Sequence, residues 1–413
     1  MLANKIEAQR ISFYEYFYMF WILIYTGYAS EFVRGFGDIR TWGNGFFLLL
    51  TIIFAIKQRV SQYKPLLLAL GVFTLYSVVS IAFSNSSEYF RWEYSKWVIC
   101  FFSSYVIVRG YGNRFFEIAE RVLVVLCTIG LVFWVGLLII PTQTINFLSL
   151  FQIKSIDQDA FYSLNSIIYT VNTFAVERGL SDWTLFVRNA GFAWEPGIYA
   201  CIVCCGIVLN ILRYDGFKFH NNINLWIFLV SLASTESTTG FTIFGFIILI
   251  WIIQSKKFKW LILVIPLLLY SLSLPFMGDK LSVLSEGFDT TSLKSANVGE
   301  DFSRILSFKI FFDEWLSHPL LGYGFSTSEI MESELVTFSG IGKVLAQYGA
   351  ILFFIFITCL AKSSRAISTL LCSKNVPYLL VTIICMMISY GVFYLPFWMS
   401  VWMFSVYSDK IEN

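Results

Sequence analysis

The chain predicts an all-α, polytopic membrane protein with about 11–12 transmembrane helices, two long extracytoplasmic loops and one interfacial amphipathic helix. Three observations predict it. Hydrophobic residues fill 57% of the 413 positions and charged residues only 14%, against about 45–50% and about 25% in soluble proteins. Mean hydropathy is +0.70. Aromatic residues reach 19%, so a water-soluble particle of this size lacks the polar side chains to cover its surface.

A membrane-crossing helix needs about 20 mostly apolar residues. Such stretches lie near 11–29, 41–56, 65–84, 92–109, 119–140, 191–213, 223–236, 240–254, 258–276, 339–361 and 376–392. A further apolar piece, 394–407, follows Tyr394-Leu395-Pro396 and reads as a short twelfth span or a re-entrant segment. The first span, preceded by Lys5 and Arg10, reads as an uncleaved anchor. The whole chain, 1–413, is expected to be a single membrane domain.

With the N-terminus placed inside, alternate loops collect Lys57, Arg59, Lys64, Arg109, Arg114, Arg121, Arg213, Lys218, Lys256, Lys257, Lys259, Lys362, Arg365 and Lys374. Together with the N-terminal pair, these are 16 of the 29 basic residues, against four inside acids (Glu7, Glu117, Glu120 and Asp215). That asymmetry fixes the orientation. Two long loops, 141–190 and 277–338, then fall outside, and loops of that length are usually functional.

Net charge is +2, which gives no basic patch for nucleic acid. All eight cysteines fall in spans or inside, so no disulfide framework is expected. Cys201-x-x-Cys204-Cys205 resembles half a zinc site, but it lies in an apolar helix without a partner pair and reads as core packing. The chain has neither a phosphate-binding glycine loop with Lys nor an H-E-x-x-H pair, which argues against an ATP motor and a metalloprotease. No cofactor and no metal is expected.

The first chemistry-bearing constellation is Arg188-Asn-Ala-Gly-Phe-Ala-Trp-Glu195-Pro196-Gly197. Proline suits the first helical position, so a helix should start at Pro196 with Glu195 at its cap. Its unpaired N–H groups and positive dipole end, with Arg188 nearby, form a setting for phosphate or pyrophosphate. Glu195 at the membrane edge is a candidate general base. The alternative is a headgroup-anchored Arg and a Glu that only caps.

The second runs from Asp301-Phe-Ser-Arg304 to His318-Pro-Leu-Leu-Gly322-Tyr323-Gly324. Ile305, Phe308, Phe312 and Trp315/Leu316 make one apolar stripe, while Lys309, Asp313 and Glu314 keep the segment amphipathic. It should lie along the outer interface, ended by Pro319, with Arg304 at its start as a second phosphate-binding arginine. Ordinary snorkelling is the competing reading for Arg304. His318 reads as a turn or cap residue more than a proton carrier, and Tyr323 accompanies it as a substrate contact. Lesser candidates are Arg91, Glu93 and Lys96 at the outer end of span four, and Glu236 in the outside turn Ser234-Thr-Glu-Ser-Thr-Thr-Gly240. Glu15, near the inner end of span one, reads as structural.

Arg188-x-x-Gly191-Phe-x-x-Glu195-Pro196, the Ser-Thr-x-Ser-x-x-Gly hairpin, Ser303-Arg304, His-Pro-Leu-Leu-Gly-Tyr-Gly and a helix start at Gly342-Lys-Val-Leu-Ala-Gln-Tyr-Gly349 occur in that order. Together they resemble the O-antigen polymerase and O-antigen ligase superfamily, most strongly over 185–355. The resemblance implies a metal-independent glycosyltransferase in the bacterial inner membrane. It would act at the periplasmic face on undecaprenyl-diphosphate-linked sugars, with Arg188 and Arg304 around the pyrophosphate. Lipid-linked oligosaccharides, the bilayer and a chain-length regulator protein are the implied partners. The ligases carry a His just before the tenth-span helix, whereas here Glu334 to Lys343 contains none, which favours the polymerase branch.

Two rivals stand beside the polymerase. One is the ligase, which transfers the finished glycan to lipid A–core. The other is a lipid-linked oligosaccharide flippase or another transporter, where charges near the bilayer midplane and broken helices are usual. Here the charges crowd the outer edge, which favours chemistry at the surface.

Overall fold

Proline and glycine set most helix borders. The computed structural model describes residues 11–34, 38–84, 90–151, 163–172, 188–258, 304–323, 340–371 and 377–408, with the isolated positions 262 and 373. The elements are α1 (Phe13–Arg34), α2 (Asp38–Lys57), α3 (Lys64–Ser84), α4 (Phe90–Tyr111), α5 (Phe115–Ile139) and α6 (Pro141–Ser149). The hairpin β1 (Ser163–Ser166) and β2 (Tyr169–Asn172) follows, then α7 (Pro196–Tyr214), α8 (Ile223–Thr235), α9 (Thr238–Ser255) and α10 (Arg304–Ser317). The chain closes with α11 (Gly340–Leu370), α12 (Pro377–Ser389), α13 (Pro396–Trp402) and α14 (Phe404–Tyr407).

The described fold is helical apart from that hairpin. Among the described residues, four helical stretches are long and apolar enough to cross a membrane: Tyr94–Ile139, which joins α4 to α5, Pro196–Tyr214, Thr238–Ser255 and Gly340–Leu370. α8 and α12, at 13 residues each, are shorter than the expected spans 223–236 and 376–392. The expected span 258–276 falls almost wholly outside the described residues, as do 277–303 and 324–339.

α7 is the central helix. Every residue from Pro196 to Leu212 is buried, as expected of a helix that is apolar all round. It packs on α5, α8, α9 and α12. Small residues permit the approach: Gly206 faces the Phe228 ring, and Gly240 faces the Cβ of Ala200. The three cysteines Cys201, Cys204 and Cys205 are part of this packed surface.

α7 starts at Pro196, as its proline predicts, and residues 191–195 form a turn before it. Two features differ from the sequence expectation. The apolar piece 394–407 is two short helices of seven and four residues, whose Phe397, Trp398 and Met399 are fully buried in the protein core rather than facing lipid. The helix expected over 339–361 is broken at Gly349, where φ is 68° and ψ is −179°.

The break is filled by the loop after α10. Tyr323 N–H donates to Ala346 O at 2.8 Å, Ala350 N–H to Pro319 O at 2.9 Å, and Ile351 N–H to Leu320 O at 3.3 Å. These bonds replace the i→i−4 ladder that Gly349 interrupts. Irregular backbone inside a membrane helix survives only where protein satisfies it, and here the His318–Tyr323 loop does so. α10 begins at Arg304, as expected. Among its described side chains Phe311 is buried while Phe312 and Leu316 of the stripe are exposed, and the side chains of Ile305 and Phe308 lie outside the described residues.

Two acids at the opposite end are paired. Glu15 accepts from Arg114 at 2.7 Å and from the Ser12 N–H at 2.7 Å, a capping box that confirms its structural role. Glu120, 1% exposed, accepts from Asn210 at 2.8 Å and from Arg213 at 3.1 Å, tying α5 to α7.

Candidate functional site

The segment between β2 and α7 is held in place residue by residue. Asn189 donates through its backbone to Ser234 O at 2.9 Å and through Nδ2 to Ser234 Oγ at 2.8 Å, while its Oδ1 accepts from the Gly191 N–H at 2.9 Å. Thr170 N–H donates to Gly191 O at 2.8 Å, so the hairpin braces the same turn. Trp194 N–H reaches Gly27 O of α1 at 3.3 Å. Gly191 has φ +52°, and the Tyr199 ring occupies the place of a Cβ there. Any other residue would meet both a strained backbone and that ring.

This segment delivers Arg188 to the turn between α8 and α9. Arg188 Nε donates to Thr235 O at 3.1 Å and Nη2 to Glu236 O at 3.2 Å. The last carbonyls of a helix have no partner inside it, and the guanidinium supplies two donors in a fixed fork. Glu236 closes α8 in a left-handed conformation, φ +47° and ψ 37°, and Ser237 caps α9 by accepting from the Gly240 N–H at 3.3 Å. Half-burial pushes the Glu236 carboxyl upward, and the nearby Arg188 partly opposes the rise. Arg188 and Glu236 therefore form one unit that the sequence listing of separate candidates did not join.

Glu195 is the N-cap of α7, as expected from Pro196, but its side chain makes no capping bond. Its Oε1 is buried and lies 3.3 Å from the point where Gly197 would carry a Cβ. The hydroxyl of Tyr390, at the end of α12, occupies that same point. Tyr390 is 5% exposed. Glycine in a helix costs about 1 kcal/mol relative to alanine, so Gly197 signals in the sequence that something approaches closely. Only the fold identifies that group as Tyr390.

Lys96 stands elsewhere, with its Nζ 4.3 Å from the centre of the Tyr394 ring. Its neighbour Trp97 donates to the Tyr348 hydroxyl at 2.8 Å, and the Tyr76 hydroxyl donates to Leu321 O. Below them, an apolar cleft of about 250 Å³ is lined by Val72, Phe73, Trp97, Tyr348, Phe356 and Phe393, among others. Residues 390–394 thus run from the Glu195 end of α7 to the rim of this cleft. The His318 and Tyr323 rings meet at 4.3 Å beside the break in α11. His318 serves as a turn residue, its carbonyl accepting from the Gly322 N–H at 2.9 Å.

Arg304 is the first residue of α10, and Arg91 and Glu93 lie in the first turn of α4. The side chains of all three lie outside the described residues. The structure therefore gathers Arg188 with Glu236, Glu195 with Tyr390, and His318 with Tyr323, and it sets Lys96 at the cleft. No protein-family model matches the chain, and no curated protein matches it.

Proposed function

We propose that the chain is a membrane glycosyltransferase of the O-antigen polymerase type, acting at the periplasmic face of a bacterial inner membrane. It transfers an undecaprenyl-diphosphate-linked glycan onto the next lipid-linked repeat unit, and a chain-length regulator protein is its natural partner. The observation that carries this reading is the buried Glu195 Oε1 at the N-terminus of α7, on the same short segment as the Arg188 cation.

In the reaction, Glu195 accepts the proton of the acceptor hydroxyl while that oxygen bonds to the anomeric carbon. The bond from that carbon to the diphosphate oxygen breaks, and the lipid diphosphate leaves with the electron pair. Arginine is suited to the charge that builds on it, and Arg188 and Arg304 take that role. Attack opposite the leaving group inverts the anomeric centre. The apolar cleft below Trp97 suits a polyprenyl chain, and Lys96 at its rim adds a cation. Glu236, Arg91, His318 and Tyr323 are the remaining substrate contacts.

The test is a strain lacking the gene, complemented with variants. Loss of activity should leave lipid A–core capped with single repeat units if the glycan is O-antigen. Accumulated long lipid-linked polymer would mark a ligase instead.

One observation favours a second reading. The break at Gly349 in α11 is the kind of discontinuity that lines transport sites, so a lipid-linked oligosaccharide flippase is the competing function. Repeat units confined to the inner leaflet of the deletion strain would establish it.

A further inference from the structure

We infer that the bundle end opposite Arg188 and Glu195 binds the headgroup of an anionic phospholipid, in a site built by the α7–α8 loop and the end of α9. The site is separate from the proposed reaction. α8 has 13 residues, a length of about 20 Å, against about 30 Å for the hydrocarbon of a bilayer. A short helix draws its flanking loop toward the acyl chains. Asn222, the N-cap of α8, is drawn in by one turn: its Nδ2 donates to Asn210 Oδ1 at 2.8 Å, while α7 runs on to Tyr214.

α7 and α9 finish there in the same way. α7 closes with Asp215 at φ +52°, and the Gly216 N–H donates to Ile211 O at 2.9 Å. α9 closes with Lys256 at φ +55°, and the Lys257 N–H donates to Ile252 O at 3.1 Å. An aromatic ladder joins the two ends. The Phe217 ring centre lies 5.2 Å from Trp251 and 5.8 Å from Phe219, and Phe219 lies 5.7 Å from Trp226. Trp226 Nε1 donates to Phe219 O at 3.1 Å, so the loop is tied down by its own rings. Phe219 and Trp226 are nevertheless exposed, and such rings favour headgroup level.

The ladder carries cations. Lys218 sits in the chain between Phe217 and Phe219, and Lys257 Nζ lies 5.3 Å from the centre of the Trp251 ring. Lys218, Lys256 and Lys257 are exposed, and among the described residues no carboxylate pairs with them. Asp215, the one acid of the loop, accepts from Ser373 Oγ at 3.3 Å. The two helix C-termini contribute about −0.5 charge each, so three lysines still leave positive charge in excess.

A phosphodiester over the ladder meets the lysines with its charge and the rings with its glyceride. Its acyl chains then run along the exposed Ile223 and Ile253. The same lysines help to orient the chain, but orientation requires neither the ladder nor the matched helix ends.

The experiment is native mass spectrometry of the full-length, delipidated protein in detergent, titrated with phosphatidylglycerol or phosphatidylcholine. Phosphatidylglycerol should bind at least about 10-fold tighter. Lys218→Gln/Lys256→Gln/Lys257→Gln should lose about 100-fold of that affinity, at about five-fold per lysine. Lys57→Gln/Arg59→Gln/Lys64→Gln removes as much charge from the same end and should bind as wild type does. Equal affinity for the two lipids, or an equal loss in both triple variants, would overturn the site.

Inorganic phosphate should not displace the lipid; displacement would assign the cations to a free phosphate instead. Wild-type protein supplies a readout that survives misfolding of the variants. Phosphatidylglycerol should shield Lys218, Lys256 and Lys257 from acetylation and leave Lys57 and Lys64 as reactive as before, and uniform reactivity would overturn the proposal. No turnover is measured, so these outcomes are independent of the proposed transferase activity.

Discussion

Gly322 and Gly349 meet backbone to backbone. Each has a positive φ, 65° and 68°, and each lies where the other's neighbours would strike a Cβ: Gly322 on Ala346 and Gln347, Gly349 on Leu320 and Gly322 itself. Two stretches that look like separate motifs, His-Pro-Leu-Leu-Gly-Tyr-Gly and Gln-Tyr-Gly, are therefore one structural joint. It fixes α10, which begins at Arg304, onto the break in α11.

Gly349→Ala should disrupt that joint. The conformation of Gly349, φ 68° and ψ −179°, is essentially reserved for glycine and costs another residue about 1–3 kcal/mol, and forcing a methyl against packed backbone adds about 1–3 kcal/mol. The expected result is a thermal midpoint several degrees below wild type in detergent, with faster proteolysis between α10 and α11. A midpoint equal to wild type would show that the loop is not held by this glycine pair.

Arg188→Ala should cost about 1–2 kcal/mol by stripping two donors from the carbonyls of Thr235 and Glu236, and chain growth should be lost. Arg188→Lys is the sharper variant, because it keeps the charge and loses the fork. Retained folding with most activity lost is expected, read from the ladder of polysaccharide lengths on a gel. Full activity in Arg188→Lys would mean that charge alone suffices.

These sites differ in how far the sequence revealed them. Pro196 and the preceding Glu marked the start of α7 because proline is tolerated only in the first turn, and Arg304 marked the start of α10. The Ser-Thr-Glu-Ser turn was equally visible, since Ser237 is a capping residue. The pairing of Arg188 with Glu236 was not visible. It depends on Asn189 stitching to Ser234 across 45 positions of chain, and no local pattern encodes such a distance. Tyr390 was hidden for the same reason: only the absent Cβ of Gly197 recorded it. The break in α11 was missed because 340–361 is apolar on both sides of Gly349, and apolar composition does not report φ. The piece 394–407 reads as a short span or a re-entrant segment because hydropathy cannot separate a lipid-facing helix from one buried in protein.

Glu236 gives the stability a pH signature. Its carboxyl is raised from the ordinary 4.5 by burial, with Arg188 in partial opposition. A raised carboxyl binds its proton more tightly in the folded state, so its stabilising protonation is complete below 4.5 and is lost as pH climbs through the raised value. Wild type should lose thermal stability relative to Glu236→Gln as pH rises above about 4.5. Parallel midpoint-against-pH curves for the two proteins would refute the burial effect.

The polar cluster at the other end of the bundle predicts an unequal pair of variants. Glu120 is 1% exposed and bonded to Asn210 and Arg213, whereas the Arg213 side chain is 36% exposed. Removing Arg213 strands a buried carboxylate with only amide partners, whereas Glu120→Gln leaves an arginine that water can solvate. Arg213→Ala should therefore cost about 3 kcal/mol, the low end of the range for breaking a buried pair because the arginine is partly wet. Glu120→Gln should cost roughly 1 kcal/mol, since the amide oxygen still accepts from Asn210. Denaturation midpoints of the two variants in the same detergent decide it: the reverse order would mean that the arginine, not the carboxylate, bears the cost of burial.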